Sequence, residues 1–186
     1  MLPPEAGALM EHYPGWWAIA GGWALDLWLG EQTRVHSDLE IALLRHEQPL
    51  VVAHFSQWQM QYVAERQLHP WAGEMLTLPI HELHISHAVG ARLELLLNEV
   101  EQGHWVFRRD PRVRLPFADL RATSCCGWPV LSPEVVLLYK ARLDQPKDRQ
   151  DLDAVWSRLS PGAQAWLRDS IVQAHPAHPW LLRIGA

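Results

Sequence analysis

"WWAIAGGWALDLWLGEQTRVHSDLEIAL", residues 16–43, is the stretch on which the reading of the fold turns. "WWAIA" has the length and apolar character of a short buried strand, and Gly21-Gly22 follows it as a turn. Apolar residues at 24, 25, 27, 28 and 29 predict a helix from Trp23, with Gly30 as its stop. In "DLEIALL", Leu39, Ile41 and Leu43 alternate with Asp38, Glu40 and Ala42, the pattern of a half-buried strand. Strand positions two apart leave the same face, so the carboxylates of Asp38 and Glu40 converge.

Two like charges brought together are costly unless cations compensate them. Hard oxygen ligands favour magnesium, and two ions about 3.5–4 Å apart can be bridged by carboxylates on neighbouring strand positions. The glycine pair lets a backbone approach a phosphate closely, and the helix behind it turns its positive end to the same anion. Taken singly, a Gly-Gly pair is most often a turn, and an acid-x-acid strand a polar face. Strand, glycines, helix and acid strand in this order form a coherent triphosphate-and-metal device.

Elsewhere in the chain, residues 5–13 predict a short opening helix and "QPLVVAHFSQW" another. "QMQYVAE", "HELHISHA" and "ARLELLLNEV" read as strands, and "WVFRRD" as a partner of the last across the turn "EQGH". Pro111 and Pro116 break the next stretch. Beyond Ser132-Pro133 only helical patterns remain: "SPEVVLLYKARL", "KDRQDLDAVWSRL" and "SPGAQAWLRDSIVQA", two of them opened by Ser-Pro caps. The reading is an α+β core over 1–131 with a C-terminal helical region over 132–186 packed on it.

The chain of 186 residues is long enough to bury a core without staples, and its net charge is −5. That balance argues against a general nucleic-acid binder, although "VFRRDPRVRL" bunches four arginines that could meet a phosphate-bearing molecule. Cys125 and Cys126 are neighbours, so they build no disulfide framework, and a reducing cytoplasm fits. The N-terminus lacks the pattern of a signal peptide, and no apolar run approaches the roughly 20 residues of a membrane span. The expectation is a soluble cytoplasmic protein without a membrane partner.

"GGWALDLWLG…TRVHSDLEIAL" resembles the DNA polymerase beta-like nucleotidyltransferase superfamily, and within it the small branch of aminoglycoside and lincosamide nucleotidyltransferases. The residues that carry the resemblance are Gly21, Gly22, Trp23, Asp26, Arg34, His36, Asp38 and Glu40. "RLELLLNE", "WVFRRDP" and "LSPEVVLLYKARLDQPKDRQDLDAV" resemble later blocks of that branch, while the final thirty residues match nothing specific. The resemblance implies a mixed nucleotidyltransferase-type sheet flanked by helices. It implies Asp38, Glu40 and a third acid as catalytic metal ligands for two Mg2+ ions, and ATP or another nucleoside triphosphate as donor. The third acid is Glu94, which shares strand parity with Arg92 and Asn98, or its rival Glu99. Gly21 and Gly22 would cradle phosphates, Lys140 would reach them, and Arg34 and His36 lie beside the nucleotide.

Bottom-up, Arg34 could instead pair with Asp38, Asp26 could simply orient its loop, and Lys147 at a helix start calls for a local partner. His81, His84 and His87 are poor zinc candidates, because on a strand His84 points away from the other two. The expected function is transfer of AMP from ATP to a hydroxyl of a small-molecule acceptor, an aminoglycoside-like antibiotic being one candidate. A nucleotide-binding module without catalysis, and an enzyme modifying RNA or a partner protein, are the alternatives.

Overall fold

In the computed structural model, which describes residues 1–88 and 90–185, α1 (Pro3–Met10) precedes the two elements built by the opening stretch, β1 (Trp17–Ala20) and α2 (Gly21–Leu29). There follow β2 (Glu40–Leu44), α3 (Gln48–His54), β3 (Gln59–Ala64), β4 (Gln67–Pro70) and β5 (Glu82–Ser86). The long β6 (Arg92–Glu101) is followed by four short strands: β7 (His104–Val106), β8 (Arg114–Pro116), β9 (Arg121–Thr123) and β10 (Pro129–Leu131). Helices α4 (Pro133–Ala141), α5 (Pro146–Val155), α6 (Pro161–Ala174) and α7 (Pro179–Arg183) complete the chain. No helix among the described residues is long and apolar enough to cross a membrane.

The sheet runs β4-β3-β5-β6-β2-β1-β10-β9, with β7 and β8 branching from β6. It is mixed, because β2 pairs parallel with β6 and β1 parallel with β10, while the other pairs are antiparallel. This is the α+β arrangement the sequence predicts. β2 sits centrally, and Ile41, Ala42 and Leu43 are all fully buried. The expected alternation is therefore corrected to a strand buried from Ile41 to Leu44, which begins at Glu40, with Asp38 just before it. Glu40 is its one partly exposed residue, and β1 and β6 pair both of its edges.

Trp105 and Trp180 are fully buried, and the Trp105 Nε1 donates to the buried Asn98 Oδ1 at 3.0 Å. Ser160 caps α6 as expected, its Oγ accepting from the Ala163 amide at 3.2 Å. Ser132 does not cap α4: its hydroxyl is turned to the Asp119 carbonyl instead. Pro116 does not break the chain before a strand but closes β8, where a missing N–H is tolerated at a strand end.

Candidate active site

The start of α2 is shaped by what lies against its two glycines. Gly21 has φ +61°, a left-handed value, and a Cβ there would run into the Glu40 carboxylate. A Cβ on Gly22 would meet the His36 ring and the Arg34 guanidinium. The glycines thus let the helix begin flush against one acid and two side chains of the following loop. That loop is pinned by the buried Asp26, which accepts from Thr33 Oγ1 at 2.6 Å and pairs with His36 Nε2. The His36 ring also lies against Trp23, with centroids 4.6 Å apart. His36, expected beside the nucleotide, has its Nε2 taken by Asp26 and its ring set against Gly22. Asp26 is the orienting residue of the loop.

Strand register assembles the acids. Glu40 of β2 stands opposite Glu94 of β6, and Glu94 stands opposite His84 of β5. His84 Nε2 bonds Glu82 Oε1 at 2.6 Å, and ligand atoms of Glu82, His84 and Glu94 lie within 4.8 Å of one another. Burial pushes the Glu40 carboxyl up to about 7, with the charges of Glu94 and Asp38 adding to it and Lys140 opposing. Burial also raises Glu94, against the pull of His84 and with the push of Glu82 and Asp38. Glu99 pairs with Arg45 and stands apart from this row. Glu82 is an acid the sequence reading passed over. Its signal was the parity of "HELHIS", which puts Glu82 and His84 on one face.

A cavity of about 410 Å³ holds both signs of charge. Gly21, Gly22, Asp38, Glu40 and Glu82 line it, and so do Arg108, Arg109, Arg142 and Lys147. Among the described residues none of these four cations forms an ion pair with a carboxylate. Arg108 and Arg109 lie over the Tyr139 ring at 5.3 and 5.2 Å, and Arg109 Nη1 donates to the Tyr139 carbonyl at 2.9 Å. Among the described residues the buried Arg109 Nε has no hydrogen-bond partner. Burial, then the charges of Arg108 and Arg142, hold Arg109 down to about 10. The other arginines of the cluster are engaged elsewhere, Arg112 by Asp110 and Arg114 by Glu101. Lys147, for which a local partner was expected, has no ion-pair partner among the described residues and faces the cavity.

Arg34 and Lys140 also line the cavity, but both are held by one acid. Arg34 reaches Asp151 through Nε at 2.7 Å and Nη2 at 2.9 Å, rather than pairing with Asp38. Lys140 Nζ lies 2.8 Å from Asp151 and 3.3 Å from Asp148. Burial alone would raise the Asp151 carboxyl, but the Arg34 hydrogen bond and the Lys140 charge bring it below its ordinary value. Glu94 lies outside the cavity and lines a neighbouring groove with Asp38.

Solved structures share this fold. The lincomycin-bound lincosamide antibiotic adenylyltransferase LnuA has a TM-score of 0.57 at 19% identity, over 83% of this chain and 94% of that one. ANT(2")-Ia in complex with adenylyl-2"-tobramycin has a TM-score of 0.58 at 15% identity, over 89% of this chain and 92% of that one. A search of the curated proteins finds no match to the chain. The sequence profile of the aminoglycoside-2''-adenylyltransferase family matches residues 6–115, which contain the glycine pair and the row of acids. The chain therefore belongs to the aminoglycoside-2''-adenylyltransferase family and is a nucleotidyltransferase.

Proposed function

We propose that the protein transfers AMP from ATP to a hydroxyl of a small-molecule acceptor, with Asp38, Glu40 and Glu94 holding two Mg2+ ions. The observation that carries this reading is the single cavity in which Asp38 and Glu40 meet four cations without carboxylate partners. Cations left free beside a crowd of acids fit a polyanion that must sit next to metal. The acids fit magnesium for a matching reason. They offer only oxygen donors, and the burial that raises Glu40 and Glu94, with neighbouring acid charges adding to it, is a cost that a divalent cation relieves.

Arg108, Arg109, Arg142 and Lys147 would neutralise the β- and γ-phosphates, with Gly21 and Gly22 admitting the backbone close to them. Arg34 and Lys140, oriented by Asp151, would line the path of the leaving group. When bound, magnesium supplies positive charge against the phosphoryl oxygens. The acceptor oxygen forms a bond to the α-phosphorus as the bond from that phosphorus to the bridging oxygen breaks, releasing pyrophosphate. Glu94 takes the hydroxyl proton. In this reading the core 1–131 supplies the acids, and the helical region 132–186 supplies Lys140, Arg142 and Lys147.

One structural relative is bound to lincomycin and another carries adenylyl-2"-tobramycin, which supports a hydroxylated antibiotic as acceptor. The exposed, unpaired Cys125 and Cys126 fit a reducing compartment such as the cytoplasm. The test is incubation with α-labelled ATP and Mg2+ against a panel of antibiotics, RNA and the protein itself. Mg2+-dependent transfer of label to an antibiotic, with pyrophosphate release, is expected. ATP binding without release, or label on RNA or protein alone, would overturn the reading.

A further inference from the structure

Cys125 and Cys126, the chain's two cysteines, occupy the corners of the tight turn that joins β9 to β10. The Gly127 amide donates to the Ser124 carbonyl at 3.0 Å, and Gly127 takes φ +84° to close the turn. At its base the Ser124 amide donates to the Trp128 carbonyl at 2.9 Å, and the Trp128 amide to Ser124 Oγ at 3.0 Å. The turn is also fixed on both flanks. The Cys125 amide donates to the Leu27 carbonyl at 3.2 Å, one of the orphan acceptors at the end of α2, and the Trp128 ring packs against Gly7 of α1. Both thiols stay exposed, with their sulfurs in contact at 3.5 Å.

We propose that this turn is a dithiol site for a trivalent arsenical bearing one organic group, bridged between Cys125 Sγ and Cys126 Sγ. The separation of the sulfurs selects that ligand. An atom bonded to both at about 2.3 Å, the length of a zinc–sulfur bond, spans the 3.5 Å between them with an angle of about 100°. Trivalent arsenic, pyramidal around its lone pair, makes bonds of similar length and takes such an angle. A linear two-coordinate ion would need the sulfurs about 4.6 Å apart. Tetrahedral zinc would need two further ligands. Among the described residues the metal-ligating side chains that gather in threes are Glu82, His84 and Glu94, on other strands.

A disulfide suits the turn less well. Neighbouring Cα atoms lie about 3.8 Å apart across a trans peptide, short of the roughly 4.4–6.8 Å usual for a disulfide. The hydrogen bond with Cys125 also pushes the Cys126 thiol above its ordinary value, and oxidants attack the thiolate rather than the thiol. The pair therefore persists as two thiols. Loading it is an exchange without electron transfer. The arsenic–oxygen double bond of R–As=O breaks, two arsenic–sulfur bonds form, and both thiol protons leave with the oxygen as one water. The second bond closes a ring inside a turn that is already folded, so little further ordering is needed. The site is separate from the acids and cations of the cavity and does not rest on the nucleotidyltransferase reading.

The test is titration of the full chain with phenylarsine oxide in excess glutathione, read by intact mass and by counting free thiols. One phenylarsenic group per chain is expected, with no thiol left free and with release by dimercaptopropanol. Cys125→Ser and Cys126→Ser should each weaken binding at least about 100-fold, because one sulfur alone loses the chelate. Phenylarsine oxide should also raise the urea midpoint of the parent protein, since the folded turn holds the sulfurs together and the unfolded chain does not. No retention by the parent protein, equal retention by either variant, or two groups per chain would overturn the proposal. So would a urea midpoint that is unchanged or lowered, which would show that the folded turn contributes nothing to binding.

Discussion

Gly21 and Glu40 are in mutual contact: the Glu40 carboxylate occupies the space where a Gly21 side chain would stand. Alanine there meets a left-handed backbone that costs about 1–2 kcal/mol, and it also displaces the acid. Gly21→Ala should therefore weaken both the fold and Mg2+ binding. A variant with unchanged urea midpoint and unchanged Mg2+ titration would show that the contact is not needed.

Asp38 is exposed and, among the described residues, is bonded only by Ser37 Oγ at 3.0 Å, so the fold does not depend on it. Asp38→Asn should abolish transfer, since losing a metal ligand removes several kcal/mol of charge stabilisation. The melting temperature of the metal-free variant should rise slightly, because a charge repelling Glu40 is gone. A rate within about threefold of the parent protein, under 1 kcal/mol, would count heavily against the metal role.

Glu40 also gives a pH dependence of definite sign. Its folded-state value of about 7 lies above the ordinary 4.5, so the native state holds a proton that the unfolded chain has released. Its contribution to stability is full below 4.5 and is lost as pH rises through 7, by about 3 kcal/mol in all. Chemical denaturation of the metal-free protein at pH 5 and pH 8 should reveal the fall, and Glu40→Gln or added Mg2+ should flatten it. Asp144, held at about 2 by Arg149, acts in a separate window, its stabilisation being lost only as pH falls from 3.8 through that value.

Glu94 and Glu99 separate cleanly in the structure, one facing Glu40 and the other paired with Arg45. Glu94→Gln should cut turnover about 10²–10⁴-fold with nucleotide binding nearly unchanged. Glu99→Gln should leave turnover intact and lower the unfolding midpoint. Steady-state kinetics beside isothermal titration with ATP would distinguish them, and the reverse pattern would reject the Glu94 assignment.

Asp151 carries two cations in a buried position, so Asp151→Asn leaves Arg34 without its carboxylate and Lys140 with Asp148 alone. A loss of about 3–5 kcal/mol is expected, read as a lower denaturant midpoint. A loss below about 1 kcal/mol would place the pair among weak surface bridges.

The sequence was legible wherever a period or a local stop marked it. Gly30 ends α2 with φ +83°, and the parity of "RLELLLNE" sets Glu94 apart from Glu99. β9 and β10 were illegible because strands of three residues contain no period, and Val130 is a strand residue because Ile19 and Ala122 lie on either side of it. Ala42 gave β2 a false polar alternate, since a small side chain is equally at home on either kind of face. The partners of His36 and Arg34 could not be read from local pattern. One is decided by Asp26 across a turn, and the other by Asp151, 117 positions away.

The order of the sheet separates two kinds of change that the protein can tolerate. β3 and β4 lie at one end, while β10 and β9, next to the helical region, lie at the other. Substitutions and insertions at the β3–β4 edge leave the Gly21–Glu40 contact and the ion pairs of Asp151 untouched. A lineage of such proteins can therefore vary one border of its sheet while the frame around the glycine turn is inherited unchanged.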